Sequence, residues 1–184
     1  SIQILEIDIS NPNNKIKTTL ARDLLGTGFE KTTSMAQRNN KSGHVVMGAI
    51  NGDYYGISAP TNPYTFLSNS QIKDGEFVFG REHVRSSFGM LDNNKPVINI
   101  LNFAGTLKAA NNNTINFNTI NGQRSTDHLV LYNNYIGAST QTNEHGTEIR
   151  LNRIDQLNQF APIRFVAVEK VTSVGNMNLN EGDF

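Results

Sequence analysis

The 184-residue chain balances 16 Lys and Arg against 16 Asp and Glu, for a formal net charge of zero. No basic face points to nucleic acid or an anionic membrane, and no apolar run reaches the roughly 18 residues of a membrane-spanning helix. Cysteine is absent, which excludes disulfides, thiolate zinc sites and a cysteine nucleophile. The length suits one domain or two small subdomains and allows burial of about 70% of the unfolded surface. Asparagine is abundant, and with 15 glycines it favours tight turns and loops; AT-rich codon usage accounts for the asparagine equally well. The pattern predicts an α+β fold, a β-dominated mixed sheet with few short helices.

From the N-terminus, Ile2, Ile4, Ile7 and Ile9 come in near alternation with Glu6 and Asp8, the pattern of a half-buried strand. Asn11-Pro12-Asn13-Asn14 reads as a turn, and residues 16–20 alternate again, which predicts a first hairpin. Thr32 or Thr33 is placed to cap a short helix over residues 34–38, stopped by Asn39, Asn40 and Gly43. Residues 45–50 are almost continuously apolar and predict a central strand buried on both faces. Residues 51–70 then make a long irregular stretch with Gly52, Gly56, Pro60 and Pro63 among four aromatics, Tyr54, Tyr55, Tyr64 and Phe66. A connection this long inside a domain is usually functional or mobile.

Asp74-Gly75 between two short β runs predicts a hairpin. Residues 86–90 and 97–101 predict a second around Asp92-Asn93-Asn94-Lys95, and residues 107–110 and 115–120 flank an asparagine run as two more strands. Later strands are predicted at 129–132, 148–151 and 163–174. No GxGxxG, Walker loop, HExxH or fixed repeat occurs.

The run Ala49-Ile50-Asn51-Gly52-Asp53-Tyr54-Tyr55 resembles the Asn-Gly-(Gly/Asp)-Phe-Phe signature of the phosphodiester glycosidase domain family, whose members include the lysosomal uncovering enzyme. Further blocks follow in the family's order: Ile4-Leu5-Glu6-Ile7-Asp8 with Asn11-Pro12, then Ile72-Lys73-Asp74-Gly75-Glu76, then Arg85-Ser86-Ser87-Phe88-Gly89. Leu131-Tyr132, Ser139-Thr140-Gln141-Thr142-Asn143 and Gly146-Thr147-Glu148-Ile149 complete the likeness, which spans almost the whole chain. The family's later Asn-Leu-Asp-Gly-Gly-Gly-Ser-Ser motif does not occur here. The resemblance therefore implies that residues 1–184 are the N-terminal portion of one larger domain, completed by its own C-terminal portion or by self-association.

What the resemblance implies chemically is hydrolysis of a sugar-1-phosphodiester, at the cell surface or outside the cell, with a glycosyl phosphodiester or cell-wall polysaccharide as partner. The alternative is a non-catalytic carbohydrate-binding or scaffold module of a bacterial cell-surface or phage protein. Asp53 leaves a predicted strand and opens the long loop, where ligand sites often lie. A carboxylate there is suited to acid–base work or to holding a divalent cation such as calcium; the competing role is an Asx turn that ends the strand. Glu148 matches the family glutamate, and glycoside hydrolysis commonly uses two carboxylates, so Asp53 and Glu148 are the candidate catalytic pair. Gly52 permits close backbone approach, and Tyr54 and Tyr55 offer rings for a sugar face or for the core. Arg85 supplies a planar fork of donors suited to a phosphodiester, or is a surface arginine at a strand start. Asn51 and Asn143 sit in the matching blocks as substrate-binding candidates. His83 lies two residues before Arg85 and reads better as a solvated side chain. His44 and His128 carry no pattern, and Ser86 and Ser87 lack a histidine–aspartate arrangement. Asn51, Asp53, Arg85 and Glu148 are expected to converge on one cleft.

Overall fold

The computed structural model describes residues 2–25, 28–54, 67–81, 85–158, 161–180 and 184. Helix α1, Thr32–Asn39, is the one α-helix among them, beside two 3₁₀ turns. Its N-cap is Lys31, with no side-chain cap bond. The Thr32 hydroxyl donates instead to Asn51 Oδ1 at 2.9 Å, so the expected threonine cap is corrected: that hydroxyl reaches across to another segment.

The strands begin at β1, Gln71–Lys73, and β2, Glu76–Arg81. They form an antiparallel hairpin whose turn residues Asp74 and Gly75 both have positive φ, 51° and 85°, the backbone that an Asp-Gly pair adopts readily in a two-residue turn. Next come the pair β3, Ser86–Met90, with β4, Pro96–Ile100, and the pair β5, Gly105–Lys108, with β6, Thr114–Phe117. Strands β7, Thr119–Ile120, and β8, Val130–Leu131, run parallel to each other; β7 also joins the free edge of β2, giving a four-stranded sheet in the order β1-β2-β7-β8. Strand β9, Thr147–Arg153, pairs antiparallel with β10, Phe165–Thr172, across a bulge between Ala167 and Glu169. The described residues are β-rich, with one α-helix and several small sheets. No helix of the described residues is long and apolar enough to cross a membrane.

The core gathers Leu20, Leu25, Val78, Phe79, Tyr132, Ile136 and Leu179. Burying each large apolar side chain stabilises the fold by about 1.5–3 kcal/mol. Through this core runs a buried asparagine pair. Asn121 Nδ2 donates to the Val78 carbonyl at 2.8 Å and to Asn133 Oδ1 at 2.5 Å, while Asn133 N–H returns a bond to Asn121 Oδ1 at 2.9 Å. Asn133 Nδ2 then reaches the Phe77 carbonyl at 2.9 Å. The pair stitches β2 to the segments around β7 and β8, and its amide groups satisfy one another as buried polar groups must.

Two expectations are corrected. The turn at residues 9–13 is present, with Asn14 N–H donating to the Asn11 carbonyl at 3.0 Å, but the flanking segments form no ladder. Residues 45–50 likewise form no ladder, and their apolar side chains face solvent: Val45 is 76% and Ile50 81% exposed. Ile2 and Ile4 share this exposure. The two segments approach each other where a Cβ on Gly48 would stand 2.5 Å from Leu5 Cδ2. An apolar alternation or run marks side chains that suit burial, and it becomes a paired strand only where another backbone supplies the ladder.

Candidate functional site

Asn51, Gly52 and Asp53 follow the exposed segment 45–50. Asn51 and Gly52 are exposed and Asp53 is half-buried. Asp53 Oδ1 accepts from the Tyr54 N–H at 2.7 Å and from Asn69 Nδ2 at 3.4 Å; Asp53 Oδ2 accepts from the Asn69 N–H at 3.0 Å. Ser68 N–H donates to the Tyr54 carbonyl at 3.0 Å. These bonds tie residues 53–54 to residues 68–69. Arg81 on β2 adds a bond from Nη2 to the Ser68 carbonyl at 3.0 Å, and its guanidinium lies over the Phe79 ring, 5.9 Å from the centroid. A carboxylate offers about four lone-pair sites, so the three donors among the described residues leave Asp53 with acceptor capacity toward a ligand. Tyr54 is exposed. Tyr55 and His83 lie outside the described residues.

Beside this segment, Arg38 of α1 bonds Glu30 through Nε and Nη2, at 3.2 Å and 2.9 Å, and also pairs with Asp23. The Arg38 hydrogen bond, with help from the Arg22 N–H, holds the Glu30 carboxyl below the ordinary carboxylate range. The network fastens α1 to the 3₁₀ turn Ala21–Asp23 and so supports the Thr32–Asn51 contact.

Glu148 lies on β9 and is buried. Thr140 Oγ1 donates to its two carboxylate oxygens at 3.1 Å and 3.2 Å, Thr142 Oγ1 donates to Oε1, and the Met177 N–H donates to Oε2 at 3.0 Å. Arg124 Nη1 stands 3.5 Å from Oε1. The same guanidinium donates through Nη2 to the carbonyl of Asn143 at 2.9 Å and to its side-chain Oδ1 at 2.7 Å. Glu148 is thereby surrounded by donors, and through Arg124 it fixes Asn143. A carboxylate so enclosed is arranged to position neighbours; proton exchange with a substrate would require this shell to open.

Arg85 is exposed immediately before β3 and has no hydrogen bond or ion pair among the described residues. Of the candidates, the structure brings Glu148 and Asn143 together through Arg124, and groups Asn51, Gly52, Asp53 and Tyr54 along one segment. The bonds of Asp53 and those of Glu148 run to different residues. Among the described residues no group of three or more His, Asp or Glu is arranged to hold a metal ion.

Sequence reasoning missed Arg124, Asn69, Arg81 and the Thr140–Thr142 pair. The threonines carried a usable signal: residues two apart in an extended run point to the same side. Arg124 carried none, because its partner is 24 residues away and lone arginines abound on surfaces. Compared with protein-family models, with curated proteins and with solved structures, the chain matches none.

Proposed function

We propose that this chain is the N-terminal portion of a phosphodiester glycosidase-like domain that hydrolyses a sugar-1-phosphodiester outside the cell or at its surface. In this reading Asp53 is the carboxylate that exchanges a proton with the glycosidic oxygen. Arg85 is the phosphate partner, and Asn51, Gly52, Tyr54 and Tyr55 receive the sugar. Glu148, expected as the second catalytic carboxylate, acts by holding Arg124 and Asn143 in place. A divalent cation such as calcium is an optional ligand of Asp53.

The observation that carries the reading is the uncovered apolar surface leading into Asn51. Val45, Met47 and Ile50 are exposed on the segment that bears the site, and Ile2 and Ile4 are exposed on the segment whose Leu5 approaches Gly48. A concentration of exposed large apolar side chains is what an interface leaves when its partner is removed. More of the same domain, or a second copy, would cover it and bring further residues up to Asp53.

The second reading, a carbohydrate-binding or scaffold module without catalysis, is favoured by the enclosure of Glu148, which leaves Asp53 as the accessible member of the candidate pair where glycoside hydrolysis commonly uses two carboxylates. Incubation of the full gene product with an N-acetylglucosamine-1-phosphodiester separates the two. Release of free sugar supports the enzyme; saturable binding without release supports the module.

A further inference from the structure

The chain contains two Asn-Gly pairs, Asn51-Gly52 and Asn121-Gly122, and the structure treats them in opposite ways. Asn51 and Gly52 are both exposed and lie outside any helix or strand. Nothing lies within 4 Å of where a Cβ on Gly52 would stand, and the Gly52 N–H has no acceptor among the described residues. Among the described residues the Asn51 side chain has one bond, received at Oδ1 from the Thr32 hydroxyl at 2.9 Å. A donor on that oxygen draws electron density from Cγ and stabilises negative charge developing on the oxygen under attack, as an oxyanion hole does.

Asn121 is fully buried. Its amide nitrogen donates to Val78 and Asn133, and its amide oxygen accepts from the Asn133 N–H. A Cβ on Gly122 would meet Thr119 Cβ at 2.7 Å, and the Tyr132 hydroxyl donates to the Gly122 carbonyl at 3.1 Å. Here the side chain cannot turn toward the following nitrogen without breaking buried bonds.

We propose that Asn51 is a site of spontaneous deamidation in the folded protein, assisted by Thr32, and that Asn121 is protected from the same reaction. The Gly52 backbone nitrogen, having lost its proton to solvent base, attacks Asn51 Cγ. The new N–Cγ bond closes a five-membered succinimide, the Cγ–Nδ2 bond breaks, and the nitrogen leaves as ammonia after taking up a proton. One water then adds to either ring carbonyl and breaks its bond to nitrogen. Opening at one carbonyl gives aspartate at position 51, and opening at the other gives isoaspartate, with one extra methylene in the backbone. The net change consumes one water and releases one ammonia, without oxidation or reduction. Either product places a second carboxylate two residues before Asp53, and isoaspartate also shifts the backbone that carries it.

The test is peptide mapping by mass spectrometry after incubating the folded chain at neutral and mildly alkaline pH, with a parallel sample in denaturant. In the folded protein the Asn51 peptide should gain the mass of an amide-to-acid exchange about tenfold or more faster than the Asn121 peptide, a barrier difference of about 1.4 kcal/mol. In denaturant the two should convert at similar rates. Thr32→Val should slow the folded-state conversion at Asn51 severalfold and leave the denatured rate unchanged, with circular dichroism confirming that α1 persists. Conversion at Asn51 no faster than at Asn121 in the folded chain overturns the proposal. An unaltered Asn51 rate in folded Thr32→Val overturns the role of the hydroxyl.

Discussion

Asp53 and Arg81 hold opposite edges of a single peptide unit. Asp53 Oδ2 accepts from the Asn69 N–H and Arg81 Nη2 donates to the Ser68 carbonyl, each at 3.0 Å. The candidate carboxylate is therefore fixed by the backbone it faces, and β2 reaches the same peptide from its other side. Asp53→Ala leaves the Asn69 N–H without its acceptor and should cost about 1–3 kcal/mol. Asp53→Asn keeps an acceptor and should cost less. Urea unfolding of the two variants checks the order; an equal loss for both would assign the effect to charge in place of the hydrogen bond.

Glu148 and Arg124 make a stronger test of positioning. With side chains 7% and 15% exposed, each would leave the other poorly compensated. Removing one partner of a buried pair costs about 3–5 kcal/mol, so Glu148→Ala should fall in that range; Arg124→Met should cost less, because Thr140, Thr142 and the Met177 N–H still serve the carboxylate. The double variant should cost less than the sum, as contacting residues do. Additive losses in a double-mutant cycle would show that the two do not act together.

The acid limb of stability has a specific contributor in Glu76. Burial lifts its carboxyl above the ordinary 4.5, against an opposing pull from Arg153. The native state therefore binds this proton more tightly than the unfolded state. The resulting stabilisation is fully present below about pH 4.5 and is lost as pH rises through the folded value. Glu76→Gln should raise stability at neutral pH and flatten the dependence in that window. Thermal melts across pH check this, and a variant less stable than the parent at neutral pH would contradict it.

The exposed apolar segments predict association. Ile2, Ile4, Val45 and Ile50 are all more than three-quarters exposed, and segments without a ladder offer unpaired backbone groups to another chain. Residues 1–184 alone should increase in apparent mass with concentration. Light scattering across a dilution series reads this directly; a monomer at every concentration with cooperative unfolding would contradict it.

Local chemistry made the hairpins legible. Asp74-Gly75 specified its turn, the asparagine run at 111–113 separated β5 from β6, and Asp92 to Lys95 separated β3 from β4. The alternation at residues 2–9 and the continuous apolar run at 45–50 did not become paired strands, because an apolar pattern reports which side chains suit burial and cannot supply a partner strand. At the candidate site, sequence identified Asp53 and Glu148 as distinctive carboxylates. Their surroundings depended on Asn69, Arg124 and Met177, whose approach comes from chain folding over separations of 16, 24 and 29 residues.

The proposed activity is tested most directly by following sugar release from an N-acetylglucosamine-1-phosphodiester with the full gene product, its Asp53→Asn variant and its Glu148→Gln variant, each first shown to be folded. Asp53→Asn should abolish release, because the amide cannot exchange the proton that the glycosidic oxygen requires. Glu148→Gln should retain measurable release with altered KM, as a residue acting through Arg124 and Asn143 would. Undiminished release by folded Asp53→Asn, or no release by the full gene product, would contradict the account.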